Sequence, residues 1–545
     1  MSENKDIRIA REYHESTKHT EISIRSSSHT LDFENKPGAF KTYTSLQKIQ
    51  LPRDFSSPTL NALLSLRSPA IEEETARARN EPSDSDIGSL TPSALAEMLF
   101  FSAGITREME YPSGKYYMRA ASATGALYPI EVYIVCSNVP GLQAGVYHFD
   151  PLGFSLDKIR EGDFKALLLN ATAYNDKIAD TTATVILTSL AWKNAWKYEA
   201  RSYRHWFWDS GVIVANMLAC AASAQVRSSL VLGFEDEKIS KLLSLEDRKE
   251  APIALVPLAS YTLEQREASE VGSLDAPHVL PEVRAEYLPL SQSEVEYPII
   301  WKMNHGSALT SQVEVSNWVR NASSIPLNRP SSSSRTSYRL DIDHPAANDP
   351  PELGQVILKR GSTRRFSSGS ISFKQLSDIL HYATGEIKAD FLPESDSNLI
   401  DVYLISNAVQ DLPTGSYFFN RPKETIETLK AGAFRSVSAY LCLEQALFGQ
   451  ASVVFFLMAQ LDPILGYLGN RGYGAAQLEA GVMAGKIYLA SYSEGIGASG
   501  STFYDDAVTE FFSPHSDGKS TMIAVGVGVP AYKAKPGRVL VRESS

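Results

Sequence analysis

Three segments of this 545-residue chain carry residue types at spacings that could do chemistry. The first, Lys359-Arg360-Gly361-Ser362-Thr363-Arg364-Arg365, sets four cations and two hydroxyls within seven residues. Guanidinium forks bring charge and planar donors, and hydroxyls add directed ones; together they suit a dianionic phosphate. Taken alone, the run reads as readily as a solvated basic turn. The second is Ser122-Ala123-Thr124-Gly125-Ala126-Leu127-Tyr128-Pro129 with Glu131. Gly125 beside Ala126 lets backbone come close to a flat ligand, and Tyr128 adds an aromatic ring with a polar tip. The third is Gly495-Ile496-Gly497-Ala498-Ser499-Gly500-Ser501-Thr502, whose glycines would free N–H groups to face an acceptor. It is not a dinucleotide fingerprint, because no GxGxxG follows a strand, and there is no P-loop.

An internal repeat decides how these segments are weighed. Val132-Tyr133-Ile134-Val135 returns as Val402-Tyr403-Leu404-Ile405, an offset of 270, and Arg201, Tyr203 and Gly211 return as Arg471, Tyr473 and Gly481. Upstream, Leu95–Gly104 matches Leu376–Gly385 at an offset of 281, so the first copy carries eleven extra residues around Ser122–Pro129. The chemical segments are not repeated. Arg79-Asn80-Glu81-Pro82-Ser83-Asp84 stands where the second copy has its cations. Gln225-Val226-Arg227-Ser228-Ser229-Leu230 stands where it has its glycines, and Glu394-Ser395-Asp396-Ser397 where the first copy has its glycine loop. Complementary losses of this kind predict a pseudo-dimer with one composite site.

The positioning elements follow from pattern. Glu131–Val135 and Asp401–Ile405 alternate with β-branched and aromatic residues, and Ala183–Leu190 and Ser452–Leu457 are nearly continuous apolar runs, so all four predict strands. Leu478–Tyr492 predicts a helix with Gly481 and Gly485 one turn apart, matched by Gly211 and Ala215; small residues at that spacing suit a close helix–helix seam. The fold class is α+β, two tandem domains, with residues 1–290 as the first copy, 291–350 as a linker and 351–545 as the second. Within the connection, Asn321–Ser337 is rich in Ser and Pro. The formal charge of −11 argues against nucleic acid as main partner. No apolar run approaches the ~20 residues of a membrane span. The polar start, and three scattered cysteines without metal-ligand spacing, point to the cytoplasm and to no metal site.

These segments resemble the nitroreductase superfamily of FMN enzymes and, within it, the SagB-type dehydrogenases, a branch that includes thiazole/oxazole-forming peptide maturases. The resemblance is carried by Tyr13–His19 (YHESTKH), Arg119–Val135, Gly145–Asp150, Lys197–Arg204 (KYEARSYR) and Lys359–Phe366, and spans nearly the whole chain. It implies a swapped, dimer-like fold with FMN in the interface. Carried over, Arg360, Ser362 and Arg364 would hold the phosphate, and Gly500, Ser501 and Thr502 would lie by the flavin N5 edge. Ser122, Ala123 and Gly125 would approach from the other half, and Arg538 in the basic tail would help. Ser122 and Ala123 depart from the proline and serine usual in that loop. Lys197 and Tyr198 resemble a lysine–tyrosine pair assigned to proton transfer in azoline oxidation; a desolvated lysine can act as a base near neutral pH. The second copy has Tyr467-Leu468 there, and one FMN per chain is expected.

The function these readings favour is hydride transfer between an organic substrate, a small molecule or a peptide, and FMN. The rivals are an NAD(P)H-dependent nitro or quinone reductase and a non-catalytic flavin- or partner-binding scaffold. Trp192, Trp196, Trp206 and Trp208 read as core or as the wall of a substrate channel. No mechanism follows from the His14/Lys18/His19 cluster; i,i+5 spacing is poor for a shared metal on a helix.

Overall fold

A computed structural model describes residues 3–67, 90–111, 114–137, 139–259, 280–281, 283, 285–327, 336–342, 344–392 and 398–533. The 270-residue offset is a repeat of whole sheets. The first comprises β1 (Gln47–Gln50), β4 (Ile130–Cys136), β5 (Gly145–Asp150), β6 (Ser155–Glu161), β7 (Ala183–Leu190), β8 (Arg227–Ser228) and β9 (Glu250–Ala259). Between β1 and β4 lies a separate hairpin, β2 (Ile105–Tyr111) with β3 (Gly114–Arg119). The second sheet holds β10 (Ser337–Arg339), β11 (Ile400–Ser406), β12 (Gly415–Asn420), β13 (Thr425–Ala431), β14 (Val453–Ala459), β15 (Gly497–Ser501) and β16 (Ser520–Gly528). Strand orders β1-β6-β5-β4-β7-β9-β8 and β10-β13-β12-β11-β14-β16-β15 correspond strand for strand. Central strands β4, β7 and β14 are buried at every residue, which is why β7 and β14 read as apolar runs rather than as alternation.

Nine helices matter for the site: α1 (Arg8–Ser16), α2 (Pro92–Ala103), α3 (Ala191–Tyr198), α4 (Ser202–Ser223), α5 (Leu353–Lys359), α6 (Phe373–Ala383), α7 (Leu461–Leu468), α8 (Arg471–Ser493) and α9 (Asp505–Phe512). Helices α4 and α8 are the predicted seam. A Cβ on Gly211 would lie 2.5 Å from the Gly481 carbonyl carbon, and one on Gly481 would lie 2.8 Å from the Trp208 backbone. A Cβ on Gly485 would lie 2.7 Å from that of Ala215. The pseudo-twofold axis passes where residue 211 meets residue 481, and only hydrogen side chains let the backbones touch.

Ion pairs obey the same symmetry. Arg201 at the start of α4 pairs with Asp505 of the second half at 2.9 Å; its counterpart Arg471 pairs with Asp236 of the first half at 2.7 Å. Each acid opens a helix, where a carboxylate also faces the positive end of the helix dipole. Such reciprocity is what an isologous interface produces. One hydrophobic core runs through both halves, from Leu95 and Val132 to Val402 and Val482, and the three cysteines are buried free thiols within it.

The stretch 291–350 is not a free tether. Helices Pro298–Gly306 and Gln312–Ala322 bury Ile300, Trp301, Met303, Val315 and Trp318, and β10 pairs with β13. Its Ser- and Pro-rich middle drew attention away from the apolar spacing on either side; residues 328–335 lie outside the described residues. Among the described residues no helix is long and apolar enough to cross a membrane.

Candidate functional site

The basic cluster follows α5, and the two halves exchange arginines there. Arg360 donates from Nε to the Ala120 carbonyl at 2.9 Å and from Nη2 to the Arg119 carbonyl at 2.8 Å. In return Arg107 of the first half donates to the carbonyls of Leu358 and Lys359, at 2.6 and 2.9 Å. Those carbonyls, at the C-terminal end of α5, are groups that a helix leaves without internal partners. Arg360 is buried, and burial pushes its guanidinium pKa down. Its donors hold the 119–120 backbone, so its position is that of a cross-seam anchor. Arg364 is exposed, and its backbone N–H donates to the Tyr532 hydroxyl at 3.0 Å.

Two tyrosines missed in the sequence link the cluster to the glycine turn. The Tyr488 hydroxyl lies 3.3 Å from Ser362 Oγ and accepts the Gly500 N–H at 2.6 Å. One turn on, the Tyr492 hydroxyl lies 3.4 Å from Thr363 Oγ1, and Thr363 N–H donates to the Ala498 carbonyl. Close approach is enforced by Gly497, where a Cβ would fall 2.1 Å from Thr363 Oγ1. The signal was present in the repeat: Leu218 and Ala222 stand at the same offset in the first copy. Ser501 Oγ accepts from Gln445, while Thr502 Oγ1 is buried without a partner among the described residues.

The first-half loop stands opposite. Ser122, Ala123, Arg119, Tyr128, Asp209 and Ile213 line a small, partly open cleft. Gly125, Ala126 and Tyr128 all take positive φ, and a Cβ on Gly125 would lie 2.6 Å from the Tyr198 hydroxyl. Strain concentrated in one loop is characteristic of functional sites. Lys197 and Tyr198 end α3, both half-buried, with Lys197 Nζ 5.3 Å from the Tyr198 ring centroid. Burial, then Arg364 and Lys36, hold Lys197 below the usual lysine pKa; burial and Asp209 push Tyr198 up. Arg538, like Arg79–Asp84 and Glu394–Ser397, lies outside the described residues.

At the symmetry-related position the chain fills its own space. Leu230, the counterpart of Gly500, donates its N–H to the Lys388 carbonyl and accepts from Asp390 N–H. The Asp390 carboxylate then takes the N–H groups of Leu232 and Gly233 at 2.9 and 2.8 Å. Backbone of the second half thus pairs on the edge that Gly500 presents on the other side.

The remaining motifs are structural in place. Arg204 donates to the His14 carbonyl, Thr17 Oγ1 and Asp505, and the His19 N–H donates to Asp505, so the Tyr13–His19 segment laces the two halves together. Among the described residues no group of three His, Cys, Asp or Glu side chains could hold a metal ion. Trp208 donates to Gln477 across the seam, Trp206 packs on Tyr203 and Trp301, and Trp192 and Trp196 donate to Ser291 and Asp32. The four are buried packing groups.

Comparison with known proteins agrees with this architecture. The Nitroreductase family profile matches residues 81–260 and 357–529, one match per half, and the chain belongs to that family. A crystal structure of a nitroreductase-type protein from Anabaena variabilis shares the fold with a TM-score of 0.73 at 24% identity, covering 96% of this chain and 99% of that one. A nitroreductase-type protein of Methanocaldococcus jannaschii is 26% identical over 31% of this chain and 80% of its own length. The microcin B17-processing protein McbC of Escherichia coli is 26% identical over 26% of this chain, and the match spans 51% of McbC, about half its length.

The residues fit a flavin mononucleotide on three observations. Lys197, Arg364 and Lys36 crowd positive charge that an anion would relieve. Thr502 Oγ1 is a buried hydroxyl without a partner among the described residues. Gly125 brings bare backbone up to Tyr198, a ring near enough to feel the charge of Arg364 from the other half.

Proposed function

We propose that this protein is an FMN-dependent oxidoreductase with a single composite flavin site, acting on a small organic molecule or a peptide. The observation that carries the reading is the exchange of arginines at the cluster: Arg360 grips the Arg119 and Ala120 carbonyls, so the phosphate-type segment of one half and the glycine loop of the other form one structure. When bound, FMN would supply two-electron chemistry by taking or giving hydride at N5.

The chain's own residues would do the rest. Arg364 and Ser362 would bind the phosphate, and Arg360 would fix the first-half loop against them. The Gly500 N–H, now accepted by Tyr488, would face the flavin edge. Lys197, whose pKa burial and then the neighbouring Arg364 and Lys36 hold below the usual lysine value, would take a substrate proton, with Tyr198 beside it. One flavin per chain is supported by the Leu230–Lys388 pairing that occupies the equivalent edge. A peptide substrate is supported by the likeness to McbC, by name a microcin B17-processing protein.

The test is the absorbance spectrum of the purified protein, reconstituted with FMN. Flavin bands at one equivalent per chain are expected; two equivalents, or none, overturn the reading. Anaerobic bleaching by NAD(P)H alone would identify a nicotinamide-driven reductase instead of a dehydrogenase.

A further inference from the structure

Asp209 lies in the N-terminal half of α4, in the wall of the cleft, with only 4% of its surface exposed. Its Oδ1 accepts both the backbone N–H and the hydroxyl of Thr124, at 2.8 and 2.7 Å, and its Oδ2 accepts from Asn194 at 3.3 Å. Thr124 is the residue between the cleft-lining Ser122-Ala123 pair and Gly125. Among the described residues no ion pair accounts for the carboxylate: its hydrogen-bond partners are Thr124 and Asn194, and burial pushes its pKa up to about 7. A buried acid kept without a countercharge is costly, so it needs a reason to be there.

The repeat supplies an independent observation. Glu479, at the 270 offset on α8, accepts the Leu399 N–H at 2.8 Å, again in the segment that leads into a central strand. The two long helices use the same device, one carboxyl gripping one strand approach. Only the first-half copy grips a loop that borders the cleft.

We propose that Asp209 is the positioning residue for the flavin site, holding the Ser122–Gly125 loop in its strained conformation through Thr124. The proposal rests on the flavin reading above. Three neighbouring features depend on that grip: the positive φ of Gly125, the room that its missing side chain leaves for the Tyr198 hydroxyl, and the exposure of Ser122 and Ala123 to the cleft. The isosteric amide should serve almost as well. Asn194 Oδ1 has no partner among the described residues, so a flipped Asn194 would accept from the new amide N–H while the carbonyl at position 209 keeps the Thr124 bonds.

The experiment compares Asp209→Ala, Asp209→Asn, Thr124→Val and Glu479→Ala with the parent. Two readouts are used: FMN affinity by fluorescence quenching, and hydrogen–deuterium exchange over residues 120–127 in the cofactor-free protein. Asp209→Ala should speed exchange locally and weaken FMN roughly tenfold or more, the scale of a lost charged hydrogen bond. Asp209→Asn should rescue both readouts, Thr124→Val should fall between, and Glu479→Ala should leave FMN affinity unchanged. The proposal is overturned if Asp209→Ala binds FMN like the parent, or if Glu479→Ala weakens binding equally. Should Asp209→Ala not fold, unchanged exchange and affinity in Thr124→Val overturn it alone. If the parent binds no FMN, the flavin reading fails, and exchange by itself decides whether Asp209 holds the loop.

Discussion

Arg360 and Arg364 differ in what their guanidinium groups touch, and their variants should fail differently. Arg364 is exposed at the mouth of the site, so Arg364→Ala should weaken FMN by about 1.5–3 kcal/mol, roughly ten- to a hundredfold, with little change in melting temperature. Arg360→Ala strips donors from two buried carbonyls and should lower the melting temperature as well. Equal thermal effects in the two variants would show that the roles are not divided. Lys197 and Tyr198 carry the chemical prediction. Lys197→Ala and Tyr198→Phe should leave the flavin spectrum intact and slow substrate-driven flavin reduction by about 10²–10⁴, the usual worth of positioned proton transfer. Reduction by NAD(P)H, which needs no substrate base, should be nearly unaffected. Loss of FMN in either variant would make the pair structural.

Among the elements, the seam between α4 and α8 gives glycine two opposite meanings. Gly211→Ala would gain about 1 kcal/mol of helix propensity, but its Cβ would meet Gly481 backbone at 2.5 Å, where neither side can yield. A net loss of about 1–3 kcal/mol is expected in denaturant unfolding. Gly466 on α7 is exposed with nothing near its Cβ, so Gly466→Ala should stabilise by about 0.5–1 kcal/mol. If both variants shift stability the same way, close packing is not what selects glycine at 211. The seam was legible from sequence because the i,i+4 glycines recur at the repeat offset, and the central strands were legible because burial on both faces leaves a continuous apolar run. Tyr488 and Tyr492 were not picked out, since a tyrosine inside an apolar helix reads as core until a hydroxyl acceptor or donor is placed beside it. The Asp390 grip on Leu232 and Gly233 was equally hidden: its carboxylate accepts backbone N–H groups more than 150 residues away in sequence.

For the molecule as a whole, the lacing of one half to the other makes two features expected to fail together. His14 and His205 are held well below the ordinary histidine pKa, and His19 is held at about 3, first by burial and then by Arg201 and Arg204. A pKa depressed in the folded state means the unfolded chain binds more protons. Stability from these groups is therefore complete above about pH 6.5 and is lost progressively as pH falls toward 3. Asp505, kept low by the same arginines, begins to lose its contribution only as pH falls below about 4. Denaturant midpoints measured from pH 8 to pH 4 should fall, and His19→Gln should flatten the profile. The same lacing predicts the behaviour of a divided chain. Residues 3–19 and α4 belong to the first half in sequence, yet they contact Asp505, Tyr473 and α8 of the second. A chain cut between residues 327 and 336 should yield fragments that each fail to bind FMN, because the cluster at 359–365 and the loop at 122–125 are then on different molecules. Mixing the fragments should restore stoichiometric binding, since the isologous seam can re-form without a covalent link. A first fragment that binds a full equivalent by itself would show that the site is not shared between the halves.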